Sequence, residues 1–288
     1  MYKCGLWRYS LLACVLSLGS AGAAASEAAL TQKLAELEQA SGGRLGLVWI
    51  NGEEQRYGYR ENERFPMTST FKTLAVAAIL DKSISQPDLL DKKVMIHNAD
   101  RVPWTPVTGN YIGKAMTITA LCAAAIEYSD NLAANYLLHE LGGPQGVTAF
   151  ARRLGDNVTR LDRVEPALNS ARPGDKRDTS TPAAMATNLY KLTLGTALPE
   201  KQRQLLISWL KQNTTGNESI RAGVPEGWIV GDKTGAGEYG STNDLAVIWP
   251  PQGKPKILAI YFTQTQPKAP NNKAVLAAAT RAAIAELP

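Results

Sequence analysis

Strand-like sequence is confined to the two ends of this chain, and almost everything between them carries a helical pattern. Near the start, Leu45 to Ile50 and Gln55 to Arg60 flank Asn51-Gly52-Glu53-Glu54 and read as a hairpin. Near the end, Trp228 to Lys233, Asp244 to Trp249 and Lys256 to Thr263 are rich in Val, Ile and Tyr and read as strands. The intervening helices are expected at Phe71 to Leu80, Thr117 to Tyr128, Leu132 to Leu141, Val147 to Leu154, Pro182 to Leu194 and Pro199 to Lys211. Terminal helices are expected at Glu27 to Ala40, ending at Gly42-Gly43, and at Asn271 to Leu287. This arrangement predicts an α/β (α+β) fold: one antiparallel sheet built from both chain ends, terminal helices on one side and an all-helical lobe on the other. The sheet lobe is expected to take 26–67 and 214–288, the helical lobe 68–213, and a site is expected at their seam.

At 288 residues and 44% hydrophobic, the chain can bury one large core or two lobes sharing an interface. Residues 1–25 read differently. Lys3 and Arg8 precede the apolar stretch Leu11 to Leu18, and the small residues Ala21 to Ser26 follow, the order of a cleaved secretory signal. Cleavage is expected after Ala25 and the mature chain in the periplasm. Loss of this leader lowers the net charge from +5 to +3. The remaining charges of both signs are interspersed, which argues against nucleic-acid and membrane partners. Cys4 and Cys14 leave with the leader, so Cys122 remains alone in an apolar helix and no intrachain disulfide is expected. His97 and His139 stand in unrelated contexts without ligand spacing, and neither a metal site nor a cofactor is expected.

Three short words then stand out. In Ser69-Thr70-Phe71-Lys72 a serine three residues before a lysine shares its helical face, so an amine can reach the hydroxyl. Ser208-Trp209-Leu210-Lys211 has the same form, in what reads as an ordinary amphipathic helix, so the pattern alone decides little. Its weight comes from the company of Ser129-Asp130-Asn131 and Lys233-Thr234-Gly235. A fourth word, Glu165-Pro166-Ala167-Leu168-Asn169, lies in the longest irregular stretch, Arg163 to Thr181, where Arg163 and Asp178 suggest an ion-pair clasp. The proline restricts the glutamate's backbone, and Asn169 is placed to hold a water beside its carboxylate.

The four words, their order and spacing, and the signal resemble the class A serine β-lactamases over essentially the whole mature chain. The resemblance implies a β-lactamase and penicillin-binding-protein-like fold and a metal-free monomer. Its activity would be hydrolysis of penicillins and cephalosporins through a serine acyl-enzyme. Ser69 is then the nucleophile, and Lys72, or Glu165 through a water, the acylation base. Ser129 carries a proton to the departing lactam nitrogen, and Glu165 with Asn169 activates the deacylating water. The N–H groups of Ser69 and Ala236 form the oxyanion hole. Lys233 lowers the Lys72 pKa and, with Thr234, receives the substrate carboxylate. Asn131 holds the substrate's side-chain amide, Asp130 is scaffolding, Gly235, Ala236 and Gly237 line the binding edge, and Trp104 walls the entrance.

One branch of the family carries an arginine soon after K-T-G, where this chain reads Gly237-Glu238-Tyr239-Gly240-Ser241-Thr242. The chain thus resembles the cefotaxime- and cefuroxime-hydrolysing branch, with Lys273 as the candidate substitute charge. Carbapenem-hydrolysing relatives join the residue before the nucleophile to one after K-T-G by a disulfide, and Thr68 and Gly237 hold those places here. The rival readings are a penicillin-binding D-Ala-D-Ala peptidase and a sensor that stays acylated. The Glu165-to-Asn169 word argues against both.

Overall fold

The computed structural model describes residues 12–287, with side chains from Ala24 onward, so the basic start of the leader lies outside the described residues. The first helix, α1 (Leu12–Ser41), begins earlier than Glu27 and runs through the expected cleavage point. Its leader portion is dominated by Leu, Ala and Ser, which continue a helix at little cost.

Strands β1 (Arg44–Ile50) and β2 (Arg56–Tyr59) form the expected hairpin. After the two-residue strand β3 (Phe65–Pro66), a short 3-10 turn at Thr68–Thr70 leads into α2 (Phe71–Ser85). The strands β4 (Lys93–Met95) and β5 (Ala115–Thr117) pair with each other. Helices α3 (Ile118–Glu127), α4 (Asn131–Glu140) and α5 (Pro144–Arg153) follow. Then β6 (Thr179–Ser180), which pairs with β3, leads to α6 (Pro182–Thr193) and α7 (Glu200–Lys211). The chain ends with β7 (Ile229–Ala236), β8 (Thr242–Trp249), β9 (Lys256–Thr263) and α8 (Lys273–Glu286).

The main sheet has the order β2-β1-β9-β8-β7, and every pairing is antiparallel. N- and C-terminal segments therefore interleave, because β1 pairs with β9 along its whole length. Both sheet faces are covered, and the period-2 alternation sorts the side chains between them. Leu245, Val247, Ile257, Ala259 and Tyr261 face the helical lobe, where the core continues through α2, α3, α4 and α6. Ala246, Ile248, Leu258, Ile260 and Phe262 face Leu30 and Leu34 of α1 and Leu276 and Ala279 of α8.

Helix starts follow local chemistry. Thr117, Asp130, Thr181 and Asn272 each accept a hydrogen bond from a main-chain N–H of the first turn of α3, α4, α6 and α8. α2 packs against α3, α4 and α5 and is buried through most of its length. That burial carries the start of α2, and with it Ser69 and Lys72, to the seam between the helical lobe and β7.

Candidate active site

Ser69 sits in the turn ahead of α2 and Lys72 in its first helical turn, so helical spacing brings Lys72 Nζ to 2.9 Å from Ser69 Oγ. The ammonium is wholly buried and donates also to Ser129 O at 2.8 Å and Asn131 Oδ1 at 2.7 Å. Ser208, by contrast, is an exposed residue of α7 whose hydroxyl accepts from Gln212, away from the other three words.

Ser129 and Asn131 reach the site because the α3–α4 junction turns sharply, with Ser129 at a positive φ of 55°. Asp130 beneath them is fully buried. It caps α4 at Ala133 N and accepts from Val107 N, Thr108 N and Thr108 Oγ1, the scaffolding role expected of it. Asn131 does more than the sequence suggested. Its Oδ1 receives Lys72 and its Nδ2 donates to Pro103 O, so it also positions Lys72 and the entrance loop.

The Glu165 loop folds over this cluster. The Glu165-Pro166 peptide is cis. Glu165 Oε1 lies 3.1 Å from Lys72 Nζ and 3.4 Å from Ser69 Oγ, and Oε2 accepts from Asn169 Nδ2 at 2.5 Å. Asn169 Oδ1 is buried and has no protein hydrogen-bond partner. The Arg163–Asp178 clasp closes at 2.6 Å, with Asp178 buried and also accepting from the N–H groups of Asp162 and Arg163. Asp178 O in turn accepts from Met67 N, which ties the loop to the turn at Thr68–Thr70.

Lys233 Nζ donates to Ser129 Oγ at 3.0 Å, completing a line from Lys72 through Ser129 to Lys233. Thr234 Oγ1 shares a 2.5 Å hydrogen bond with Thr215. Gly235 and Gly237 are demanded by close approach, because a Cβ at Gly235 would overlap Thr68 Oγ1, and one at Gly237 would stand 2.8 Å from Thr68 Cγ2. β7 is an edge strand, so its outer main-chain groups, including those of Ala236, border the cleft. The cleft encloses about 770 Å³ between Ser69, Asn169 and Gly235, with Trp104 at its rim. Trp104 is 62% exposed and its Nε1 donates to Tyr128 O. Lys273 lines the cleft but is exposed and pairs with Glu218 at 2.6 Å.

Burial is the main influence on both ammonium groups. It lowers the Lys72 pKa, against which the Glu165 carboxylate works. The sequence suggested Lys233 as the cause, whereas desolvation leads and the repulsion between the two cations is felt at Lys233. Burial first, and Lys72 second, bring Lys233 down to about 7. Burial also pushes the Cys122 thiol up, consistent with a packing residue.

Two positioning residues escaped the sequence reading. Asn135 accepts from Glu165 N at 2.9 Å and donates to Glu165 O at 3.0 Å, clamping the main chain of that glutamate. Its only signal is the place one turn after Asn131. Asn243 donates to Pro66 O, Met67 O and Thr68 Oγ1, fastening β8 to the turn that carries Ser69. His97 and His139, which stand in unrelated stretches of the sequence, both line one cavity beside the Glu165 loop. Among the described residues no group of three or more His, Cys, Asp or Glu side chains is arranged to hold a metal.

Residues 29–287 match the beta-lactamase enzyme family. The chain is 54% identical over 280 residues to β-lactamase OXY-1 of Klebsiella oxytoca, covering 96% of each chain. It is 53% identical over 271 residues to β-lactamase CTX-M-8 of Citrobacter amalonaticus, covering 93% of each. The crystal structure of a β-lactamase from Desulfarculus baarsii superposes with a TM-score of 0.88 at 48% identity, covering 89% of this chain and 96% of that one.

Proposed function

The chain belongs to the beta-lactamase enzyme family, and on that premise we propose how its own residues open and hydrolyse the β-lactam ring of penicillins and cephalosporins. The activity is that of a class A serine β-lactamase, which confers antibiotic resistance. The observation that carries the residue assignment is the convergence of Ser69, Lys72, Ser129 and Glu165 within hydrogen-bond reach, from segments as far apart as 96 residues.

Ser69 Oγ attacks the lactam carbonyl and loses its proton to the Lys72–Glu165 pair, both of whose members face it. The new oxyanion is received by the N–H groups of Ser69 and Ala236. Ser129, hydrogen-bonded to both lysines, delivers its proton to the ring nitrogen as the C–N bond breaks and is reprotonated through Lys72, which passes on the proton taken from Ser69 and leaves Glu165 ionised. In the second half-reaction Glu165 takes a proton from a water held between its carboxylate and Asn169 Oδ1, that water attacks the ester of Ser69, and the proton returns from Glu165 to Ser69 Oγ as the acyl–oxygen bond breaks. Lys233 and Thr234 receive the substrate carboxylate, Asn131, Gly235 and Gly237 bound the substrate's path along β7, and Trp104 shields the entrance. Lys273, held only by an exposed pair with Glu218, is free to turn toward an anionic substrate group.

The enzyme acts as a monomer of two lobes, 26–67 with 214–288 and 68–213, after removal of 1–25 in the periplasm. The order of cations, apolar stretch and small residues supports that export, and none of the described helices is long and apolar enough to cross a membrane. Mass spectrometry of the enzyme mixed with benzylpenicillin tests the chemistry. A transient adduct on Ser69 that decays to penicilloate is the expected result. A permanent adduct would instead support the sensor or peptidase reading.

A further inference from the structure

Beside the Glu165 loop lies a cavity of about 850 Å³, within the range of sites that hold small organic molecules. Val94 and Met95 of β4 form one wall, Leu132 and Tyr136 of α4 another, and Val164 the third. Met95 and Val164 are 46% and 43% exposed, so apolar surface stands open at its mouth. With histidine counted neutral, Asp100 is the only formally charged side chain in the lining. Tyr136 donates to Asp100 Oδ2 at 2.7 Å and presents its ring beside that carboxylate. Apolar walls, an aromatic ring and one carboxylate complement an organic cation.

The cavity also adjoins the Glu165 loop. Val164 immediately precedes Glu165, and Asn135, another lining residue, holds both main-chain polar groups of Glu165. We propose that this cavity is a second ligand site, for a compact organic cation with a flat apolar body, and that its occupant acts on turnover through the main chain of Glu165. The binding half stands on the cavity alone; the coupling half rests on Glu165 activating the deacylating water.

The test uses 2-naphthylmethylammonium and the full mature enzyme. Titration followed by backbone amide NMR is expected to give saturable shifts at Val94, Met95, Leu132, Tyr136 and Val164. Absence of saturation, or shifts centred on Ser129, Gly235 and Ala236, overturns the site. Asp100→Asn keeps an acceptor for Tyr136 and removes the charge, and is expected to weaken the probe about fivefold, the upper range for an exposed ion pair. Unchanged affinity overturns the cationic assignment. At saturating probe the decay of the penicilloyl-enzyme is expected to change at least about twofold, acylation staying constant, with Asp100→Asn requiring more probe for the same effect. An unchanged decay rate overturns the coupling. Because binding is read by NMR without turnover, failure of the Glu165 assignment is distinguishable from failure of the site.

Discussion

The carboxylate of Glu165 lies 3.1 Å from the ammonium of Lys72, and both side chains are wholly excluded from solvent. An ion pair so placed is held by its surroundings more than by its own attraction, and removing one member leaves the other charge stranded. The remaining hydrogen bonds from Lys72 to Ser69, Ser129 and Asn131 cushion that loss on the lysine side.

Glu165→Ala is therefore expected to acylate and then stall. Deacylation should slow by about 10² to 10⁴, the range of a general base, and the penicilloyl adduct should accumulate on Ser69. Time-resolved mass spectrometry checks this. Turnover at the original rate would reduce the loop carboxylate to scaffolding and favour the peptidase reading.

Ser69→Ala removes the hydroxyl proposed as nucleophile while leaving the α2 packing intact. The variant should fold, with its circular dichroism unchanged, and take up no penicillin covalently. An adduct at Ser208 or another hydroxyl, located by peptide mapping, would overturn the assignment.

Asn135→Leu deprives the Glu165 main chain of both partners in a partly buried setting. A loss of about 1–3 kcal/mol for each unsatisfied group sets the scale of destabilisation. The melting temperature should fall, and deacylation should slow more than acylation in single-turnover kinetics. Equal slowing of both steps would show that Asn135 supports the fold alone.

The pH dependence follows from Lys233, whose pKa burial lowers from 10.5 to about 7. Between those values the unfolded chain holds a proton that the folded chain has released. Stability from this group thus grows as pH rises from about 7 toward 10.5 and is lost below. Its positive charge disappears over the same rise, so kcat/KM for a carboxylate-bearing penicillin should decline above about pH 7. Lys233→Arg, which keeps its charge, should move that limb upward. A wild-type profile flat to pH 10 would contradict the assignment.

Thr68 and Gly237 abut but carry no sulfur, so the bridge of carbapenem-hydrolysing relatives does not form here. Penicillins, cefuroxime and cefotaxime should be turned over efficiently, whereas a carbapenem should leave a long-lived acyl-enzyme. Steady-state kcat/KM for these four substrates is the measurement. Carbapenem turnover equal to that of cefuroxime would refute the branch and leave the serine mechanism standing.

By itself the sequence determined what short-range geometry determines. Ser69 and Lys72 share a helical face whatever surrounds them, Glu165 and Asn169 close one turn of the loop, and the strand pattern at both ends required one shared sheet. For the mature chain it gave the first helix from Glu27, and the helix of the full chain covers that span and extends back into the leader. Only tertiary structure decided that Asn135 grips Glu165, that Asn243 fastens the turn carrying Ser69, and that His97 and His139 share a cavity. Single asparagines and histidines carry no periodic signal. Their partners lie tens to hundreds of residues away and are chosen by how the elements pack. The order of influences on Lys72 was likewise hidden, because desolvation belongs to the assembled interior, and no list of neighbours along the chain contains it.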